Sequence, residues 1–117
     1  MSATVLIVDD HPGFRRSARL LLEAEGWDVV GEAGSAAEAL EAARALDPGL
    51  VLLDVHLPDG DGFEVASRLS AEPRPPKVVL ISSHDVRDLG ELVRESGALG
   101  FVPKDDLSAE ALEALLR

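Results

Sequence analysis

Asp9, Asp10, Asp54, Ser82 and Lys104 are the residues whose types and placing suit chemistry. Asp9 and Asp10 follow directly on one apolar run and Asp54 on another, Ser82 ends a third, and Lys104 lies just beyond a fourth. Carboxylates gathered in one place repel one another, and one has its pKa raised unless a cation joins them. Mg²⁺ is suited to that task, because it takes hard oxygen ligands, keeps several waters and accepts one or two carboxylates together with a phosphate. An ionised Asp54 needs no general base, and as a carboxylate nucleophile it would take a phosphoryl group as an acyl phosphate. Lys104 and the metal would neutralise charge on the transferring oxygens, with the Ser82 hydroxyl at the same edge. Taken singly, each residue has a plainer reading: an acidic residue after a strand caps the next helix, a serine makes a turn and a lysine is solvated. Only their convergence makes a phosphoryl-binding constellation.

The elements that must position these residues are five short apolar runs, Thr4–Val8, Val29–Gly31, Leu50–Leu53, Val78–Ile81 and Leu99–Val102. Most lack alternation, which fits strands covered on both faces in a parallel sheet. Helical periodicity fills the gaps. Phe14, Ala18, Leu21 and Leu22 share a face between Pro12 and Gly26, and Ser35 with Glu38 forms a capping box ahead of a helix that ends before Pro48. A third helix should follow Asp61-Gly62 and bury Phe63, Ala66 and Leu69. A fourth should present Val86, Leu89, Leu92 and Val93 with Gly90 in its interior, and a fifth should start near Ser108, with Leu107 and Leu112 as a hydrophobic staple. Right-handed crossovers then make the sheet parallel and bring every strand's C-terminal end to one edge. In the order 2-1-3-4-5, ligands bind outside those ends between strands one and three, where Asp9, Asp10 and Asp54 sit.

With 117 residues the chain holds one domain, and no linker or repeat is visible. Its formal charge of -11 opposes direct binding to nucleic acid, since no phosphate counterions would be released. The absence of cysteine removes disulfide, thiolate-metal and thiol chemistry. The N-terminus shows neither a signal peptide nor a membrane span, so the expected location is cytoplasmic.

Four motifs carry a family resemblance: Val5-Leu6-Ile7-Val8-Asp9-Asp10-His11-Pro12, Leu50-Val51-Leu52-Leu53-Asp54 through Gly62, Val78-Val79-Leu80-Ile81-Ser82-Ser83-His84, and Gly100-Phe101-Val102-Pro103-Lys104. Across essentially its whole length the chain resembles the response-regulator receiver domain of bacterial two-component systems, and the wording of its motifs is similar to the NarL/FixJ-like subfamily. The resemblance implies a flavodoxin-like (βα)₅ fold and a phosphoacceptor role for Asp54. It implies Mg²⁺ ligation by Asp10, Asp54 and the His56 backbone carbonyl, with Asp9 assisting through water. Ser82 would be the switch hydroxyl and Lys104 the phosphate-pairing lysine. Phe101 stands at the aromatic switch position and equally suits an ordinary core aromatic. His56 and His84 stand where residues of this family tune acyl-phosphate lifetime, or are exposed loop histidines.

The implied partner is a sensor histidine kinase or phosphotransfer protein, and a phosphorylation-dependent homodimer is compatible with the family. Subfamily members often carry a C-terminal DNA-binding segment, which these 117 residues do not include. Asp105 follows Lys104 where many receivers have a cis proline, so a cis bond is not expected there. Two other functions compete: a receiver-like binding module that works without phosphate, and a Mg²⁺-dependent phosphohydrolase. The second would usually need a further carboxylate at position 56, which is histidine.

Overall fold

In the computed structural model, which describes residues 3–83 and 90–116, each apolar run becomes a strand of one parallel sheet. Its strands are β1 (Thr4–Val8), β2 (Asp28–Ala33), β3 (Leu50–Asp54), β6 (Lys77–Ser82) and β7 (Gly100–Pro103), in the order β2-β1-β3-β6-β7. Counting only these five, this is the expected order 2-1-3-4-5. The last strand is shifted by one residue from the sequence reading. The Leu99 N–H still bonds the Val78 carbonyl at 2.8 Å, but its side chain is 45% exposed.

Every residue of central β3 is buried, and β1 and β6 are nearly as enclosed. That explains their unbroken apolar character: both faces of the sheet are covered. On one face, Leu6, Val8, Leu53 and Leu80 pack with α2 (Ala36–Leu46) and α3 (Gly62–Ser70). On the other, Ile7, Leu52 and Ile81 pack with α1 (Pro12–Ala24) and α5 (Ala109–Leu116). Fully burying one such aliphatic side chain contributes roughly 1.5–3 kcal/mol, so the sheet is a firm platform for groups at its edge.

The helix ends follow the local signals. Pro12 begins α1, and Gly26 follows its end at φ +94°, a conformation that glycine adopts without Cβ strain. Ser35 accepts from the Glu38 N–H at 3.2 Å, while the Glu38 carboxylate reaches back to the Gly34 N–H at 3.1 Å. Ser108 caps α5 through the Ala111 N–H at 3.0 Å, with Leu107 and Leu112 in the same apolar cluster. In α3, Ala66 and Leu69 are buried as expected, Phe63 is half-buried, and Val65 is a further core residue.

The fourth helix departs from expectation. In its described part, α4 (Gly90–Glu95), Leu92 is 43% exposed, so Val93 alone of the expected pair faces the core. Val86 and Leu89 lie outside the described residues. An unforeseen hairpin, β4 (His56–Leu57) with β5 (Gly60–Asp61), links β3 to α3. No peptide bond is cis among the described residues, and Lys104–Asp106 form a 3₁₀ turn.

Candidate functional site

β1 and β3 are adjacent, with Val8 opposite Leu53, so Asp9 and Asp54 leave the sheet side by side. Asp9 is fully buried and Asp54 nearly so, whereas Asp10 lies exposed at the rim. The Asp9 Oδ1 accepts from the His11 backbone N–H at 2.8 Å. Its Oδ2 is buried against the Lys104 ammonium in a close ion pair. Asp54 divides its oxygens in the same way: Oδ1 accepts from the His56 N–H at 3.1 Å, and Oδ2 lies 3.3 Å from Lys104 Nζ. One ammonium thus spans two buried carboxylates. Its position is steadied from beneath by the Phe14 ring, whose centroid is 4.7 Å from Nζ.

Burial holds the Asp54 carboxyl above its ordinary range. The neighbouring Asp9 charge adds to the effect, and the His56 N–H and Lys104 oppose it without cancelling it. Burial would by itself lower the Lys104 pKa, but the Asp9 and Asp54 carboxylates outweigh it and raise the value, so the ammonium stays charged.

Asp9, Asp10, His11 and Asp54 each present a ligand atom within 4.8 Å of the others. Three carboxylates against one ammonium leave two negative charges uncompensated, and the donors are mainly hard oxygens. That donor set fits Mg²⁺. Asp10 is the most accessible carboxylate, and its Oδ1 lies 3.0 Å from His11 Nδ1.

Of the remaining expected residues, Ser82 falls at the same edge. Ser82 is fully buried at the end of β6, in register with Pro103 beside Lys104. Phe101 is half-buried against the cluster on the α2/α3 face, where a core role and a switch role are both open to it. His56 is exposed at the start of the hairpin, and Asp105 is exposed in the turn after Lys104. His84 lies outside the described residues.

Four contributors were missed by the sequence reading. His11 touches both Asp9 and Asp10, and Phe14 underlies Lys104. Arg15 donates to the Asp9 backbone carbonyl. Asp59, in the hairpin turn, accepts from the Ala36 and Ala37 N–H groups at 2.7 and 3.1 Å and ties the hairpin to the start of α2. Those two N–H groups pull the Asp59 carboxyl below its usual pKa. An available signal for His11 was its place directly after the two aspartates. For Arg15 it was the i, i+4 repeat with Arg19, which puts two cations on one helix face opposite Glu32.

A doubly wound α/β domain that gathers buried aspartates and a lysine at its switch point presents its ligand-binding groups at that edge. The family described as response regulator receiver domain matches residues 5–117. A Pseudomonas aeruginosa protein named as a transcriptional regulator is 42% identical over 110 residues, which are 94% of this chain and 53% of that protein. BvgA of Bordetella pertussis is 38% identical over 94% of this chain and 53% of its own length. Among solved structures, the signal receiver domain of NarL from Mycobacterium tuberculosis superposes with a TM-score of 0.87 at 38% identity, covering 98% of this chain and 94% of that one. A LuxR-family two-component response regulator from an Aurantimonas species gives a TM-score of 0.88 at 31% identity, covering 99% of this chain and 84% of that one.

The chain belongs to the response-regulator receiver family of two-component systems. Receiver domains are signalling switches rather than metabolic enzymes, and they bind Mg²⁺ at an acidic pocket. The chain spans about half the length of the curated relatives it matches. No helix among the described residues is long and apolar enough to cross a membrane.

Proposed function

We propose that this chain is a phosphorylation-activated receiver in which Asp54 takes a phosphoryl group from a sensor histidine kinase or phosphotransfer protein. The observation that carries the reading is the ion-pair cluster of Asp9, Asp54 and Lys104 at the switch-point edge. An Asp54 oxygen attacks the phosphorus of a phosphohistidine in line; the new O–P bond forms as the N–P bond breaks, and the leaving imidazole nitrogen takes up a proton. Asp10, Asp54 and the His56 carbonyl would hold Mg²⁺, with Asp9 assisting through water. When bound, the ion neutralises charge on the phosphoryl oxygens.

Lys104 already stands 3.3 Å from Asp54 and can move its charge onto the new phosphoryl group. Ser82 supplies the switch hydroxyl, and Phe101 turns inward as Ser82 moves. Phosphorylation then needs to favour a pre-existing active arrangement by only a few kcal/mol. His56 and His84 tune the lifetime of the acyl phosphate, so replacing both with Ala should change its decay rate. The site of action is the cytoplasm, where response regulators usually work. The partners are proteins, a second phosphorylated copy among them, and the charge of -11 opposes direct nucleic-acid binding by this chain.

The test is labelling with a small phosphodonor, with and without Mg²⁺. Wild-type chain should take up one phosphoryl equivalent in a Mg²⁺-dependent way and Asp54→Asn none. Equal labelling of the two proteins would contradict the assignment. Continued turnover of a phosphate ester beyond one equivalent would favour a hydrolase.

A further inference from the structure

We infer that Arg15 is a positioning residue for the acidic pocket: its guanidinium anchors the peptide joining Asp9 to Asp10 and so aims both carboxylates. The inference rests on the metal-binding reading above. The β1–β2 register ends at Val8 opposite Ala33, with one further bond from the Asp9 N–H to the Ala33 carbonyl at 3.0 Å. The Asp9 carbonyl therefore lies just past the end of the ladder, on a fully buried residue that cannot turn it to solvent. Arg15 on α1 donates to it. With the N–H of Asp9 held by β2 and its C=O held by α1, the backbone at this residue is fixed on both sides. Asp10 follows directly from that fixed peptide.

Arg15 is itself held in place. Its Nε donates to Glu32 Oε1 at 3.0 Å, and the other Glu32 oxygen takes Arg19 Nε at 2.8 Å. These bonds fix the guanidinium between β2 and the end of β1 and leave the side chain only 20% exposed.

Charge and position predict opposite signs. A cation near the aspartates opposes a divalent ion by Coulomb repulsion, so removing it should tighten metal binding. An anchor does the reverse, since its loss lets Asp9 and Asp10 drift. Glu32, which Arg15 shares with Arg19, offsets part of the Arg15 charge and reduces the Coulomb part, and groups that orient ligands from behind typically change metal affinity by about tenfold or more.

The experiment is calorimetric Mg²⁺ titration of the wild-type chain, Arg15→Ala, Arg15→Lys and Arg16→Ala, each with a thermal melt to verify folding. Arg15→Ala should bind Mg²⁺ about tenfold more weakly. Arg15→Lys, which keeps the charge and one donor nitrogen, should recover most of the loss. Arg16 is exposed on the same helix, so Arg16→Ala removes the same charge without touching the anchor and should bind as wild type or slightly tighter. If Arg15→Ala does not fold, Arg15→Gln, which is too short to reach both partners, should show the same weakening. A folded Arg15→Ala or Arg15→Gln protein that binds Mg²⁺ as tightly as wild type overturns the inference while leaving the metal site intact. A wild-type chain that takes up no Mg²⁺ overturns both.

Discussion

Gly62 opens α3 with its backbone pressed against the turn that follows Asp54. An alanine Cβ at this position would stand 2.4 Å from the Asp54 carbonyl oxygen and 2.9 Å from Val55 Cα. Ordinary contact begins at 3.4 Å, so one of the two backbones must retreat by about 1 Å. No rotamer change relieves the clash, because the atoms met first are main chain. The Gly62 N–H also donates to the Val55 carbonyl at 2.7 Å, and the retreat would stretch that bond.

Overpacking of this kind costs about 2–3 kcal/mol, within the range for enlarged side chains in tight sites. In a domain of this size that lowers the melting temperature by roughly 10 °C. The chemical cost is larger in relative terms, because a misplacement of about 1 Å at a reacting group reduces rate by about 100-fold. We expect Gly62→Ala to show both effects in a thermal melt and in the initial rate of labelling by a small phosphodonor. Gly13→Ala is the control. Nothing lies within 4 Å of a Cβ there, and removing a helical glycine should stabilise by up to about 1 kcal/mol. A folded Gly62→Ala protein that melts within about 2 °C of wild type and labels at the wild-type rate would refute the reasoning.

Other consequences follow from the charges. Burial, reinforced by Asp9, raises the Asp54 carboxyl, so the folded state binds that proton more tightly than the unfolded state does. The group's contribution to stability is present below the unfolded pKa and lost as pH rises through the folded value. Asp54→Asn should therefore melt above the wild type at pH 7 without metal and converge with it in acid, where an unchanged gap would contradict the sign. Glu32 is the opposite case: burial alone would raise its pKa, but Arg19 and Arg15 bring it below the ordinary range. Its stabilisation is present above the unfolded pKa and lost as pH falls through the folded one. Glu32→Gln should lower the urea midpoint at pH 7 by an amount equivalent to at most about 1 kcal/mol, given its partial exposure, and not in strong acid. Lys104→Ala should abolish rapid labelling and destabilise the metal-free chain, because it leaves a buried Asp9 carboxylate without its cation. Mg²⁺ should bind that variant more tightly and restore part of its melting temperature; a variant melting like wild type in metal-free buffer would show that the pair contributes nothing.

The sheet order and the convergence of Asp9, Asp54, Ser82 and Lys104 were legible because both follow from periodicity and crossover handedness, which the chain displays locally. The hairpin at His56–Asp61 was not. Each of its strands is two residues long, too short to show alternation, and its turn is fixed by Asp59 binding N–H groups more than twenty positions earlier. The exposure of Leu92 escaped for a related reason: an apolar residue at helical spacing predicts a face only when the helix is covered on that side, which sequence spacing does not record. Phe14 was read correctly as lying on the inner face of α1, yet its second task beneath the Lys104 ammonium depends on a contact ninety positions away in the chain.

What sequence periodicity conveys least is how a buried carboxylate is made tolerable. Asp9 and Asp54 each give one oxygen to a backbone N–H two residues on and the other to Lys104, so both are served by local turns and one shared cation. Local turns of that kind lock each carboxylate to its own segment, whereas the shared ammonium couples the two segments. A new negative charge on Asp54 would compete with Asp9 for that ammonium. The pull would act along Lys104 on the 3₁₀ turn and on β7, the strand that carries Phe101. The physical route from Asp54 to the β7 edge would then be a redistribution of one cation between two carboxylates, and it would need no displacement of the apolar sheet beneath.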